Sequence, residues 1–202
     1  MKTSTREKMV AGAVDLLRQR GLNATSVREV VRQTETPRGS ISHHFPQGKL
    51  QLVTEALAYA GQEVSLPLQK LLEEKGAIAG LRTFIGLWRQ VLVGTHCQAG
   101  CPVLAVTVEQ YVGEDGNLNL EAQEQLLEQA HAIFQDWQNS IAKALVHEGL
   151  TAARARRLAT LVVSAVEGTV ALCRAAHEVK ALDEVASELE ALLTDAIAAR
   201  QS

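Results

Sequence analysis

Aromatic residues are scarce in this 202-residue chain: three Phe, two Tyr and two Trp, 3% of the total, against a hydrophobic fraction of 47%. Strands draw on aromatic and β-branched side chains, whereas an apolar set dominated by Ala and Leu favours helix. Proline is also rare, and all four prolines (Pro37, Pro46, Pro67, Pro102) fall in the first half. Beyond residue 102 nothing forbids long helices. The three cysteines (Cys97, Cys101, Cys173) are an odd number without a secretion signal, which argues against a disulfide framework. A run of ~18 apolar residues, the length that spans a bilayer, is missing. The N-terminal Met1-Lys2-Thr3-Ser4-Thr5-Arg6 leads into an amphipathic segment rather than a signal-peptide core. The expected class is all-α, the expected location is the cytoplasm, and no membrane partner is expected.

A catalytic constellation is absent as well. The chain shows no nucleophile–base–acid set and no phosphate-binding glycine loop. His43-His44 lack the i, i+4 spacing and adjoining glutamate of a zinc-protease helix. The expectation is a non-enzyme with no cofactor and no metal.

What the chain does have is an uneven charge. The net charge is −3, yet residues 1–60 carry nine Lys/Arg against five Asp/Glu, and the remainder carries eleven against eighteen. A basic head on an acidic body suits a module that approaches phosphates at one end only.

The head also has a definite helical pattern. Met9, Ala13, Leu16 and Leu17 mark one apolar face of a first helix, stopped at Gly21. Thr25 or Ser26 caps a short second helix, with Glu29 at capping-box spacing from Ser26 and Val27, Val30 and Val31 facing inward. Thr36-Pro37 starts a very short third helix ending at Phe45-Pro46. A fourth begins near Gly48-Lys49 and is expected to kink or end at Pro67. Later helices are read at 77–95, 102–113, 119–148, 151–178 and 183–200, about nine in all.

Two short helices joined by a turn are what a helix-turn-helix requires, its second helix entering the major groove of double-stranded DNA. Arg38 is suited to a guanine edge or a phosphate. Gly39 is counted among the candidate DNA contacts, and Ser40, Ser42 and His43 can donate to bases or phosphates. Ser26 and Arg28 on the second helix, and Lys49 on the fourth, are placed for flanking phosphates. Ile41 and Phe45 are read as anchors to the core.

The set Thr25-Ser26-Val27-Arg28-Glu29-Val30, then Arg38-Gly39-Ser40-Ile41-Ser42-His43-His44-Phe45-Pro46 and Lys49-Leu50, resembles the TetR family of transcriptional regulators over residues 5–55. Two positions depart from it. The family usually has Gly where this chain has Glu35, and Tyr where it has Ser42. Glu35 suggests a turn that avoids left-handed geometry. The resemblance implies a helix-turn-helix DNA-binding domain over 1–48, and a helical ligand-sensing and dimerisation domain over 49–202. It also implies a homodimeric repressor, released from a near-palindromic operator by a small molecule.

Further on, Ala99-Gly100-Cys101-Pro102-Val103-Leu104-Ala105 and Val166-Glu167-Gly168-Thr169-Val170-Ala171-Leu172 look like the LmrA-like multidrug-type regulators. In that family the last two long helices form a four-helix bundle across the dimer axis. Small Ala165 and Gly168, with Leu161, Leu172, Leu189 and Leu193, are the candidate interface. Dimerisation would set two recognition helices ~34 Å apart.

Most of the aromatics gather between residues 81 and 145, where a cavity for an apolar or amphipathic effector is expected. Its candidate lining is Phe84, Trp88, Leu104, Thr107, Val108, Tyr111, Phe134 and Trp137, with Glu109, Gln110 and His131 as further polar groups. The same aromatics also read as ordinary core. His96, Cys97 and Cys101 admit a soft-metal or oxidant-sensing reading, but their spacing is no standard zinc pair, so ordinary thiols are expected. A regulator without effector and a protein-interaction bundle are the rival functions.

Overall fold

The computed structural model describes residues 4–37 and 39–199, apart from the side chain of Ser40. Within them the chain forms α1 (Thr5–Arg20), α2 (Val27–Thr34), α3 (Ser40–His44), α4 (Gly48–Gly94), α5 (Pro102–Val108), α6 (Leu120–His147), α7 (Ala152–Ala176) and α8 (Lys180–Ala198). The extended pairing among the described residues is one antiparallel bridge, Val112 to Leu118. The fold is all-α, as composition leads one to expect.

α4 is two helices end to end. Its break lies at Gly76, where φ is 77° and ψ is 177°, and not at Pro67, which stays inside the helix. The correction has a simple cause: glycine reaches this backbone conformation at no steric cost. The helix that restarts after it has its first amide, Ala77 N–H, facing a carboxylate oxygen of Glu148 at 3.4 Å. Counting the two parts of α4 separately gives the nine helical segments expected, among the described residues.

Caps follow the sequence, with one shift. Ser26 accepts from Glu29 N–H at 3.2 Å and starts α2, while the Glu29 carboxylate turns to Arg20 and Arg32. The reciprocal capping box stands instead on α1, between Ser4 and Glu7.

The chain divides into two compact units, residues 1–62 with 101–133, and residues 63–100 with 134–202. The first therefore extends beyond the expected boundary at residue 48 and takes in the segment after Gly100. Hydrogen bonds explain why. The Glu109 carboxylate accepts from the backbone N–H groups of Leu22 (2.9 Å) and Asn23 (3.1 Å), and the Asn23 side chain donates to Gln110 O (2.8 Å) and accepts from Val112 N–H (3.2 Å). Gly21, at φ 85°, sits directly under that carboxylate, where any Cβ would collide with it.

In the first unit α1 packs on α2 and α5, burying Met9, Ala13, Leu16 and Leu17 together with Val30, Val103 and Val106. In the second, α7 packs on α8, with Leu158, Val162, Leu182, Leu189 and Leu193 buried. Arg82 pairs with Glu190, and Arg89 with Asp183 at 2.7 Å. These exposed pairs are worth little each. α7 is a long and largely apolar helix. It contains no strict apolar run, yet by length and composition it is apolar enough to cross a membrane, and half of its apolar window is buried in the fold.

Candidate nucleic-acid interface and apolar cavity

The supporting frame of the interface is α1, against which α2 lays Val30, fully buried, with Val27 and Val31 half-buried. The turn after α2 is left-handed. Glu35 has φ 52° and ψ 34°, and its N–H returns to Val31 O. This overturns the expectation that a non-glycine residue here avoids such geometry. The turn is fixed by its hydrogen bonds. Thr36 N–H also reaches Val31 O (3.3 Å), while the Thr34 hydroxyl bonds Val30 O (2.7 Å) and shares a 2.9 Å contact with the Thr36 hydroxyl.

α3 begins at Ser40, with Gly39 at its N-cap, three residues later than the sequence suggests. Ile41 and Phe45 are buried, as their reading as anchors requires. Arg6 lies over the Phe45 ring, 5.4 Å from its centre. With that face held, Ser42 and His43 stand exposed on α3, and Arg28 stands exposed on α2. Among the described residues, no atom beyond its chain neighbours would meet a Cβ built on Gly39. Arg38 and the Ser40 side chain lie outside the described residues. His44 is half-buried, its ring 6.5 Å from that of Phe45.

Two of the candidate DNA contacts are occupied otherwise. The Ser26 hydroxyl serves as the α2 cap. Lys49 is buried, its ammonium donating to Val112 O at 2.8 Å and standing 4.9 Å from the centre of the Tyr111 ring. Burial pushes its pKa below the ordinary lysine range, against an upward pull from the Glu114 and Glu109 carboxylates. An inward-facing ammonium offers no phosphate contact, so Lys49 is corrected to a brace within the first unit. Burial likewise raises the Tyr111 phenol, reinforced by Glu114 and Asp115.

The second unit contains an apolar cavity whose empty space, counted with its mouth, is about 370 Å³. Its enclosed part admits only on the order of two waters. Phe84, Trp88 and Trp137 are among the residues that line it. Phe134 stands behind, edge-on to Trp137 with ring centres 5.2 Å apart. Trp137 is held by its indole N–H donating to Ser65 Oγ (3.1 Å), whose hydroxyl donates to Asp136 (2.7 Å).

The other four candidates belong to the first unit and line no part of this cavity. Thr107 bonds back to Leu104 O at 2.8 Å, Tyr111 lies under Lys49, and Val108 is 71% exposed. The physical reason is that α5 ends at Val108, five residues short of its expected end, and the following loop serves the α1–α2 turn. Glu109 is committed to that turn rather than to a ligand.

The sequence reading missed the α7 side of the cavity: Val162, Val163, Val166 and Glu167. Their i, i+1, i+4, i+5 spacing was a usable signal of an inward face. Glu167 is a buried carboxylate on that face.

α7 also carries an outward face, on which Leu161 is 45% exposed, Leu172 is 59% exposed and Gly168 is open. Ala165 is half-buried beside them. Leu189 and Leu193 depart from the expected interface: both are buried inside their own chain, beside α7. Cys97, Cys101 and Cys173 are buried and form no disulfide among the described residues. Among the described residues, no three His, Cys, Asp or Glu gather in a metal-binding group.

Comparison with known proteins gives a concordant picture. Residues 9–56 match the model of bacterial regulatory proteins of the tetR family, and residues 77–188 match the C-terminal domain of LmrA/YxaF-like transcriptional regulators. An uncharacterized HTH-type transcriptional regulator of Mycobacterium tuberculosis is 36% identical over 188 residues, 93% of each chain. The HTH-type regulator LmrA of Bacillus subtilis is 24% identical, covering 94% of this chain and 96% of its own. The crystal structure of a TetR regulator from Legionella pneumophila superposes with a TM-score of 0.80 at 19% identity, over 95% of this chain and 98% of that one.

Proposed function

This chain belongs to the TetR family of bacterial transcriptional regulators, with an LmrA/YxaF-like C-terminal domain, and from that premise we propose that it is a homodimeric, cytoplasmic repressor released from a near-palindromic operator by a small apolar or amphipathic ligand. The observation that carries the DNA half of this reading is the exposed set Arg28, Ser42 and His43, held outward while Ile41 and Phe45 anchor α3. Arg38 and Ser40 join them by position in the sequence. Such groups suit phosphate and base-edge contacts in the major groove. Two copies are needed to read a palindrome. The outward face of α7, with Leu161, Ala165, Gly168 and Leu172, is the proposed seam, its small residues allowing close helix approach.

The ligand half rests on the cavity. α4 and α6 both contribute to its lining and also run through the first unit, so a ligand that spreads them has a covalent route to the DNA-binding helices. It can release DNA only by binding the DNA-incompetent state more tightly.

The test is selection of genomic fragments by the purified protein, with Arg38→Ala beside it, at two salt concentrations. A near-palindrome enriched by the parent and lost in the variant supports the reading. Uniform, salt-sensitive retention of all fragments sinks it and favours an interaction bundle.

A further inference from the structure

The cavity of the second unit has one ionisable group in an otherwise apolar lining, the Glu167 carboxylate. It projects from the middle of α7, among Val162, Val163 and Val166, and is buried. Across the same cavity stand Trp88, Trp137 and Phe84. Indole is the best of the aromatic faces for holding a cation. Trp137 is pinned by its bond to Ser65, so its ring is positioned before any ligand arrives.

We infer that this cavity takes an amphiphilic cation, a substituted ammonium on an apolar body, with Glu167 as counter-charge and the two indoles beside the cationic nitrogen. The inference deepens the reading of the cavity as the effector site and rests on it. Coulomb attraction to the ionised Glu167 favours the cation. A neutral ligand of the same shape gains only the burial of its apolar body. An anion gains that burial and suffers repulsion from Glu167. Glu167 can keep other partners throughout, because a carboxylate has about four lone-pair directions and a ligand needs one.

The chain's two tryptophans, Trp88 and Trp137, both line this cavity, so intrinsic fluorescence reports on it directly. The experiment titrates the full-length protein with phenylbutyltrimethylammonium, phenylbutanol and phenylbutyrate, which share one apolar body and differ in charge. The ammonium is expected to bind about tenfold or more tighter than the alcohol, with the carboxylate weakest. Glu167→Gln is expected to bring ammonium and alcohol to similar affinity. Equal binding of ammonium and alcohol by the parent overturns the inference, as does saturable binding of none of the three, or a preference that survives in Glu167→Gln. If that variant does not fold, the three probes on the parent protein decide alone.

Operator release, measured in parallel, separates the two readings. Charge-selective binding that leaves operator affinity unchanged preserves the cation site and removes its role as effector site. Release by the alcohol without charge discrimination preserves the effector site and removes the cation.

Discussion

At Glu35 the backbone sits at φ 52° and ψ 34°, where a Cβ crowds the next carbonyl at a cost of roughly 1–2 kcal/mol. Glycine would remove that strain while making the unfolded chain more flexible, which returns about 0.5–1 kcal/mol. Glu35→Gly is therefore expected to stabilise the protein by about 0.5–1 kcal/mol, read as a higher urea midpoint at unchanged slope. A lower midpoint would mean the side chain has a stabilising contact. Lys49 makes a second residue-scale case. Its folded pKa is depressed by burial, so between that value and about 10.4 the unfolded chain holds a proton the folded chain has lost. Stability contributed by this group must rise with pH across the window. Subtracting the pH profile of Lys49→Met from that of the parent should isolate the rise. For operator binding, Arg28→Ala should lower the salt slope by about 0.9 whereas Lys49→Met should leave it unchanged. Equal losses would place the lysine on phosphate. The sequence could not distinguish these two cations. Both are long, charged and close to the recognition helix, and only the Val112 carbonyl, far along the chain, separates their fates.

The elements were more legible than their joints. Apolar periodicity located α1 and the start of α4, because an inward face repeats locally, while cap and proline signals marked α2 and α3. The left-handed turn at Glu35, the break at Gly76 and the early end of α5 depend on backbone torsions and on partners distant in sequence, which no local pattern carries. The loop after α5 is the clearest instance. Glu109 looks like a polar group of a ligand site, yet its carboxylate holds the amides of Leu22 and Asn23. Hydrogen bonds to a charged acceptor are worth about 1.5–3 kcal/mol when buried, less when part-exposed. Glu109→Ala is expected to destabilise the protein by about 1–2 kcal/mol and to weaken operator affinity in the absence of ligand. Full operator affinity in a destabilised variant would confine this latch to a structural role.

For the whole molecule, the two faces of α7 make opposite demands. Leu193 is buried in its own chain, so Leu193→Ala should cost about 2–5 kcal/mol in chemical unfolding. Leu172 is 59% exposed. Leu172→Glu should retain the helical circular dichroism signal while sedimenting at half the parent's mass and losing cooperative operator binding. A parent protein that sediments as a monomer at micromolar concentration would remove the proposed seam. The residues of both faces are apolar and recur at helical spacing, so composition alone groups Leu189 and Leu193 with Leu161 and Leu172. Only packing of α8 on α7 tells them apart.

An apolar helix of nearly membrane-spanning character, half of it uncovered by its own chain, also bears on how long a copy survives in a cell. Chaperones and proteases recognise exposed apolar segments, and a lone protomer presents one continuously. Pairing hides it. Copies in excess of what can pair would be cleared first, so the lifetime of the protein depends on its own abundance, and a newly made chain gains persistence only when it finds its twin.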